Sequence, residues 1–220
     1  MLLENQPYPQ DGRVRRESFT LAAAGYQVTI ICPRNGIQSR HETVNGVRVL
    51  RYPAPPAGGG LLGYLFEYGY STAITFVFSI WVALRGGFDI IHSHNPPDTM
   101  FVIGAFFKLF GKRYVFDHHD LSPEMYNARF DGKGNRLVFK ALEVLERLSC
   151  RVADRVIATN QSYREMEMRR GKVPPEKITI VRNGPELGRV KRVAPDEELR
   201  RKAPTIIGYV GIMGYQDGVD

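Results

Sequence analysis

The chain has 220 residues, 43% of them apolar and 24% charged, ordinary proportions that exclude collagen-like, coiled-coil and intrinsically disordered classes. Thirty Lys and Arg against 23 Asp and Glu leave a charge of +7, which suits phosphate, an anionic membrane surface or nucleic acid without choosing among them. Two cysteines, Cys32 and Cys150, are too few for a disulfide framework or a cysteine-rich zinc module, so a reducing compartment is expected and Cys32, in an apolar run, reads as core.

The opening MLLENQPYP has no basic stretch and no apolar run of leader length, so the expected location is cytoplasmic. Met1, Leu2 and Leu3 read as the clipped remainder of a buried strand, which stops at the polar Glu4, Asn5 and Gln6. Buried strands are then expected at 28–32, 89–92, 114–116, 156–158 and 178–181, alternating with helices at 13–24, 99–110, 137–148 and 162–170. The helix at 137–148 carries apolar residues at Leu137, Ala141, Leu145 and Leu148. One hairpin interrupts the alternation, because Asn45-Gly46 between Val44 and Val47 is the pair a tight primed turn requires. Residues 53–60 form a Pro/Gly loop that runs into Gly58-Gly59-Gly60-Leu61-Leu62-Gly63, a formal G-x-G-x-x-G. No tight strand precedes that motif and no acidic residue follows at ribose distance, so it reads as a flexible loop. Residues 68–84 carry no charge and are expected as a buried core helix.

The alternation implies an α/β fold, a doubly wound Rossmann-like parallel sheet. Residues 1–187 are expected as that domain, 188–204 as a charged linker and 205–220 as the start of a second domain, with an apolar strand at 205–211 entering a glycine loop at Gly211 and Gly214. The remainder of the second domain is expected beyond Asp220.

In parallel sheets ligands collect beyond the carboxyl ends of the strands. Two loops there are rich in chemistry: His92-Ser93-His94-Asn95-Pro96-Pro97-Asp98 and Asp117-His118-His119-Asp120-Leu121-Ser122-Pro123-Glu124, together holding four of the five histidines. An imidazole moves protons near neutral pH and a carboxylate beside it fixes its tautomer, which singles out His119 with Asp120. The plainer alternative makes Asp117 or Asp120 a cap of the helix that follows. His92 and His94, two apart on a strand, face one side and with His118 or His119 could bind a metal for hydrolysis; the early Pro96 and Pro97 and the absence of a helical H-E-x-x-H speak against it. Asp11-Gly12-Arg13 opens a helix, where Gly12 permits close approach and Arg13 with the helix start attracts an anion; Asp11 also suits a plain N-cap. Arg164, Arg169, Arg170 and Lys172 read as a solvated face, and without interleaved exposed aromatics a non-enzymatic nucleic-acid module is the weaker reading.

The ordered set Asp11-Gly12-Arg13-Val14, Gly25-x-x-Val28-x-Ile30, Phe88-Asp89-Ile90-Ile91-His92-Ser93-His94, Asp117-His118-His119-Asp120 and Ile178-x-Ile180-Val181-x-Asn183-Gly184 resembles the N-terminal half of retaining GT-B glycosyltransferases of the family 4 type, nearly from end to end. That resemblance implies two Rossmann-like domains facing a cleft, the acceptor held mainly by the first and a nucleotide diphosphate sugar by the second, with no obligatory metal or cofactor. The expected acceptor is a sugar or a lipid-linked molecule, the latter with peripheral membrane contact because it suits the basic charge and the apolar 61–84 stretch, and no nucleic acid is expected. In such enzymes the histidine of a V-x-x-x-H-D setting lies near the transferred sugar, which here selects His119 of Val115 to Asp120. The resemblance also implies substrate-binding roles for Asp11, Gly12, Arg13, His94, Asn95, Glu124 and Asn183, and donor-phosphate roles for Gly211 and Gly214. The family's G-R-x-x-x-x-K-G is replaced by Gly211-Ile212-Met213-Gly214-Tyr215-Gln216-Asp217-Gly218, without either cation. For this reading the loops starting at 11, 92 and 117 must meet, with the His119 ring at the rim, open to the space between domains.

Overall fold

The structure, a computed structural model, describes residues 1–55, 60–184, 188, 190–191 and 193–209. The proposed phosphate residues Gly211 and Gly214 lie outside the described residues. Strands β1 (Thr29–Arg34), β3 (Val47–Pro53) and β2 (His41–Val44) pair in the order β1-β3-β2, and β4 (Ile90–His94), β5 (Arg113–His118), β6 (Arg155–Ala158) and β7 (Ile178–Ile180) follow in the order β4-β5-β6-β7. Leu2 unites the two sets through parallel bridges to Ile31 and Ser93. Its amide donates to the His92 carbonyl at 2.8 Å, and its own carbonyl accepts from the His94 amide at 3.1 Å. The expected opening strand is therefore the middle of the sheet, and the chain winds outward from it in both directions, as a doubly wound fold requires. Only β2 runs antiparallel, joined to β3 by the expected hairpin, in which Asn45 and Gly46 take φ of 47° and 81°.

Helices cover both faces: α1 (Gly12–Ala23), α2 (Gly60–Arg85), α3 (Phe101–Lys108), α4 (Ser122–Arg129), α5 (Arg136–Val152) and α6 (Gln161–Arg169). One apolar cluster includes Ile91, Ile103, Phe107, Tyr114, Phe116 and Val156; a second holds Leu3, Tyr8, Val14, Ile30, Cys32, Val47 and Val49. Cys32 is core, as expected, and Cys150 is buried as well. Where α3 crosses β5, a Cβ on Gly104 would stand 2.5 Å from the Tyr114 ring, so only glycine fits.

Three expectations about helices need correction. Gly60 to Gly63 belong to the first turn of α2 and are not loop, while 56–59 lie outside the described residues. Helix α2 is not a buried core helix either: it turns Ser71, Thr75, Ser79 and Val82 inward and leaves Leu62, Leu65, Phe66, Val77 and Leu84 exposed. Two of these hydroxyls find partners, Ser79 donating to the Thr75 carbonyl at 2.8 Å and Ser71 to Glu4 at 3.5 Å, while Thr75 Oγ1 is buried without one. On α5 the expected apolar stripe faces out, with Leu137 and Leu148 exposed, and the buried seam is Glu146, Ser149 and Cys150.

The linker region contains a six-residue exposed helix, α7 (Glu197–Lys202), capped by Asp196. Of the strand expected at 205–211, the described residues 205–209 form no strand and are exposed.

Candidate functional site

The carboxyl ends of the opening segment, β4 and β5 converge on the amino end of α1, where the strand order reverses direction. A small cavity there is lined by Leu3 to Gln6, Asp11, His94, Asn95, Pro96 and His119. The loops starting at 11, 92 and 117 therefore meet, as the sequence reading demanded. The ring of His119 does not stand open at a rim: its side chain is 3% exposed and forms part of the cavity wall. The same cavity is lined by the 3–6 segment and Pro96.

Asn95 joins the two histidine loops. Its carbonyl oxygen accepts from the amides of His119 (2.9 Å) and Asp120 (3.1 Å), and its amide nitrogen donates to Asp98 (3.1 Å) and to the Asp120 carbonyl (2.5 Å). With both ends of its amide used and only 1% exposure, Asn95 acts as a rivet that fixes where His119 stands. Its backbone amide adds a fifth link, donating to the Asp117 carbonyl at 3.2 Å.

The carboxylate beside His119 is Asp117, whose Oδ1 lies 3.4 Å from Nδ1, and not Asp120. Neither aspartate caps α4, whose N-cap is Leu121 without a side-chain hydrogen bond. Asp117 is the hub of a buried group. Its Oδ2 lies 3.0 Å from His94 Nδ1 and 3.6 Å from His92 Nε2, the two imidazoles stack at 4.3 Å, and Glu17 Oε2 of α1 approaches His94 Nε2 at 3.9 Å. Burial alone would raise the Asp117 carboxyl, but the surrounding His119, His92 and His94 hold it well below the usual range. Burial, then the neighbouring Asp117 charge, pushes Glu17 up to about 8, and burial with His92 alongside brings His94 down to about 4. Burial likewise raises Glu4, at the cavity wall, to about 7, with Glu67 adding to the effect and Ser71 opposing it. A carboxyl poised near neutrality in a cavity is suited to proton transfer.

Glu4 and Glu17 were not among the sequence candidates. Glu4 had a usable signal, since it directly follows the central strand; Glu17 reaches in from the middle of a helix and had none. Beta strand β4 also runs on through His94 despite the prolines that follow, keeping His92 and His94 on one face.

The other candidates disperse. Asp11 accepts from the amides of Arg13 (2.9 Å) and Val14 (3.3 Å), the plain N-cap role, while also lining the cavity. Gly12 begins α1, and the guanidinium of Arg13 lies 3.8 Å from Asp11. His118 faces away from the other histidines, between Glu167 at 3.2 Å and Glu146 at 3.6 Å, so no metal set with His92 and His94 includes it. Glu124 is gripped by Arg170 at 2.6 and 2.9 Å, and Arg170 also binds Glu146, so Arg170 belongs to a buried ion network and not to a solvated face. Neither Glu124 nor the exposed Asn183 is among the residues lining the cavity.

Residues 13–184 match the family described as "Glycosyl transferase 4-like domain". The chain is also similar to a solved structure of sucrose-phosphate synthase from Thermosynechococcus elongatus, with 18% identity and a TM-score of 0.56 over 84% of this chain and 90% of that one, a likeness of fold. No curated protein sequence matches the chain.

Proposed function

Because the chain belongs to the glycosyl transferase 4-like family and has a Rossmann-like half of the GT-B fold, we propose that it forms the acceptor side of a cleft in which a sugar passes from a nucleotide diphosphate donor to an acceptor with retention of anomeric configuration. What carries this reading is the convergence of Glu4, Asp11, Asn95 and His119 on one cavity at the point where the sheet reverses, the place where open α/β sheets hold ligands. The cavity is small, and the proposal assigns the rest of the cleft to a second domain. In the assembled cleft the departing diphosphate develops negative charge, which the amino end of α1 with Arg13, and Gly211 and Gly214 as donor-phosphate residues, are proposed to stabilise without a metal. His119, enclosed here and not open at the rim as the sequence reading required, is proposed to reach the transferred sugar through the cavity its ring lines, with Asn95 positioning it and Asp117 setting the orientation of its ring. Asp120, Glu124, His94 and Asn183 stand as acceptor-side residues of the assembled cleft.

The acceptor is a sugar or a lipid-linked molecule of polysaccharide or glycolipid synthesis. The lipid-linked form is favoured by the exposed apolar residues of α2 in a chain of charge +7, a surface for peripheral membrane contact. No helix among the described residues is long and apolar enough to cross a membrane.

The test is transfer from a panel of nucleotide diphosphate sugars, read by mass spectrometry of the products. A polypeptide that pairs this domain with a nucleotide-sugar-binding half should transfer, while residues 1–220 alone should fold and show negligible turnover; sugar transfer by the 220-residue chain would contradict the proposal.

A further inference from the structure

His92 and His94 alternate on β4, and Asp117 stands opposite His94 on the adjacent strand, so three metal-competent side chains project from one face of two paired strands. Glu17, on the helix covering that face, completes the set. One ligand atom from each of the four lies within 4.8 Å of every other. A second observation points into the same space: both ring nitrogens of His94, 4% exposed, make no hydrogen bond, and neither do His92 Nε2 and Glu17 Oε2. The His94 Nδ1 contact with Asp117 is close but lies outside hydrogen-bonding direction. Buried polar atoms without a hydrogen-bond partner are costly, and a cation bound to one atom each of Glu17, His92 and His94 satisfies three of these four, leaving the second His94 nitrogen to carry the ring proton.

We propose that Glu17, His92, His94 and Asp117 bind one divalent transition-metal ion, best matched by zinc, through two imidazole nitrogens and two carboxylate oxygens. Calcium and magnesium call for six or more oxygen ligands, whereas an N2O2 set suits zinc, which accepts tetrahedral geometry without electronic preference. With bonds of about 2.0–2.1 Å, tetrahedral ligand atoms stand about 3.3 Å apart. Asp117 Oδ2 stands 3.0 Å from His94 Nδ1 and 3.6 Å from His92 Nε2, close to that separation, and the four-residue set closes within 4.8 Å.

Four protein ligands fill the coordination shell, the signature of a structural site. The ion ties α1 to β4 and β5 directly beneath the loops that Asn95 rivets together. Asp117 offers Oδ2 to the ion while Oδ1 faces His119, so the metal also fixes the carboxylate that orients the ring. The site shares His94 and Asp117 with the residues around the cavity, its role is structural, and no step of transfer passes through it.

The experiment uses the 220-residue chain stripped with a chelator, reloaded with zinc and gel-filtered, with metal counted by plasma mass spectrometry; cobalt(II) replaces zinc as the spectroscopic probe. The expected result is about one ion per chain, visible bands of a tetrahedral cobalt site, and a rise in melting temperature on zinc addition. His94→Ala and Asp117→Asn should lose all three, and His41→Ala, at an exposed histidine on β2, should keep them. Should those variants fail to fold, Glu17→Gln and His92→Gln, at partly buried positions, carry the test through their cobalt spectra and stoichiometry. Wild-type protein that retains no zinc, or Glu17→Gln and His92→Gln proteins that retain full stoichiometry with unchanged cobalt bands, would overturn the assignment.

Discussion

Asn95 shows how one side chain sets the geometry of a site. Its four side-chain hydrogen bonds hold two loops from neighbouring strands, and truncation leaves the amides of His119 and Asp120 unsatisfied in a buried place. Asn95→Ala should therefore lower stability by about 2–4 kcal/mol in urea denaturation, while an exposed control changes little. Glu4 gives a prediction with a definite sign. Its carboxyl is raised from the ordinary 4.5 to about 7, so the folded state binds its proton more tightly than the unfolded state, and stability contributed at low pH is lost as pH rises through that window. Glu4→Gln should remove this loss, raising stability above wild type by roughly 1–3 kcal/mol near pH 8 and leaving the two nearly equal near pH 4. Urea melts at the two pH values check it. The loops holding these residues were legible in the sequence because polar residues after buried strands stand out. The pairing of His119 with Asp117 was not, since a residue two positions back on a strand is a spatial neighbour only once the strand's pleat is known.

At the scale of elements, strands were read more faithfully than helix faces. Parallel strands are continuous apolar runs, and the Asn45-Gly46 turn adopted the expected positive φ angles. Helices α2 and α5 went the other way: each buries polar residues that find partners and exposes part of its apolar surface. Periodicity shows that a helix exists, but it cannot foresee that Glu146 has Arg170 and His118 waiting inside. Two measurements belong here. Gly104→Ala should cost about 1–3 kcal/mol, because the new methyl meets a Tyr114 ring that is fully buried and pinned by Ser93 at 2.7 Å. Trp81, the one tryptophan in the chain, lies on exposed α2, so its emission should shift to the blue with anionic vesicles, and Leu84→Glu should weaken that binding about tenfold. Unchanged emission would remove the membrane surface from the account.

For the whole molecule, the central observation is that a three-residue segment in the middle of the sheet aims its carboxyl end, and those of its neighbours, at one spot. The doubly wound topology was readable from alternation alone; the ring's enclosure was not, because it depends on tertiary packing around the cavity that residue order does not reveal. The sharpest test is the effect of His119→Ala on kcat/KM for sugar transfer in a two-domain enzyme carrying this domain, with circular dichroism confirming the fold and His41→Ala as control. The account predicts a fall of about 100-fold or more for His119→Ala and none for the control. A folded His119→Ala enzyme that transfers sugar at the wild-type rate would contradict it.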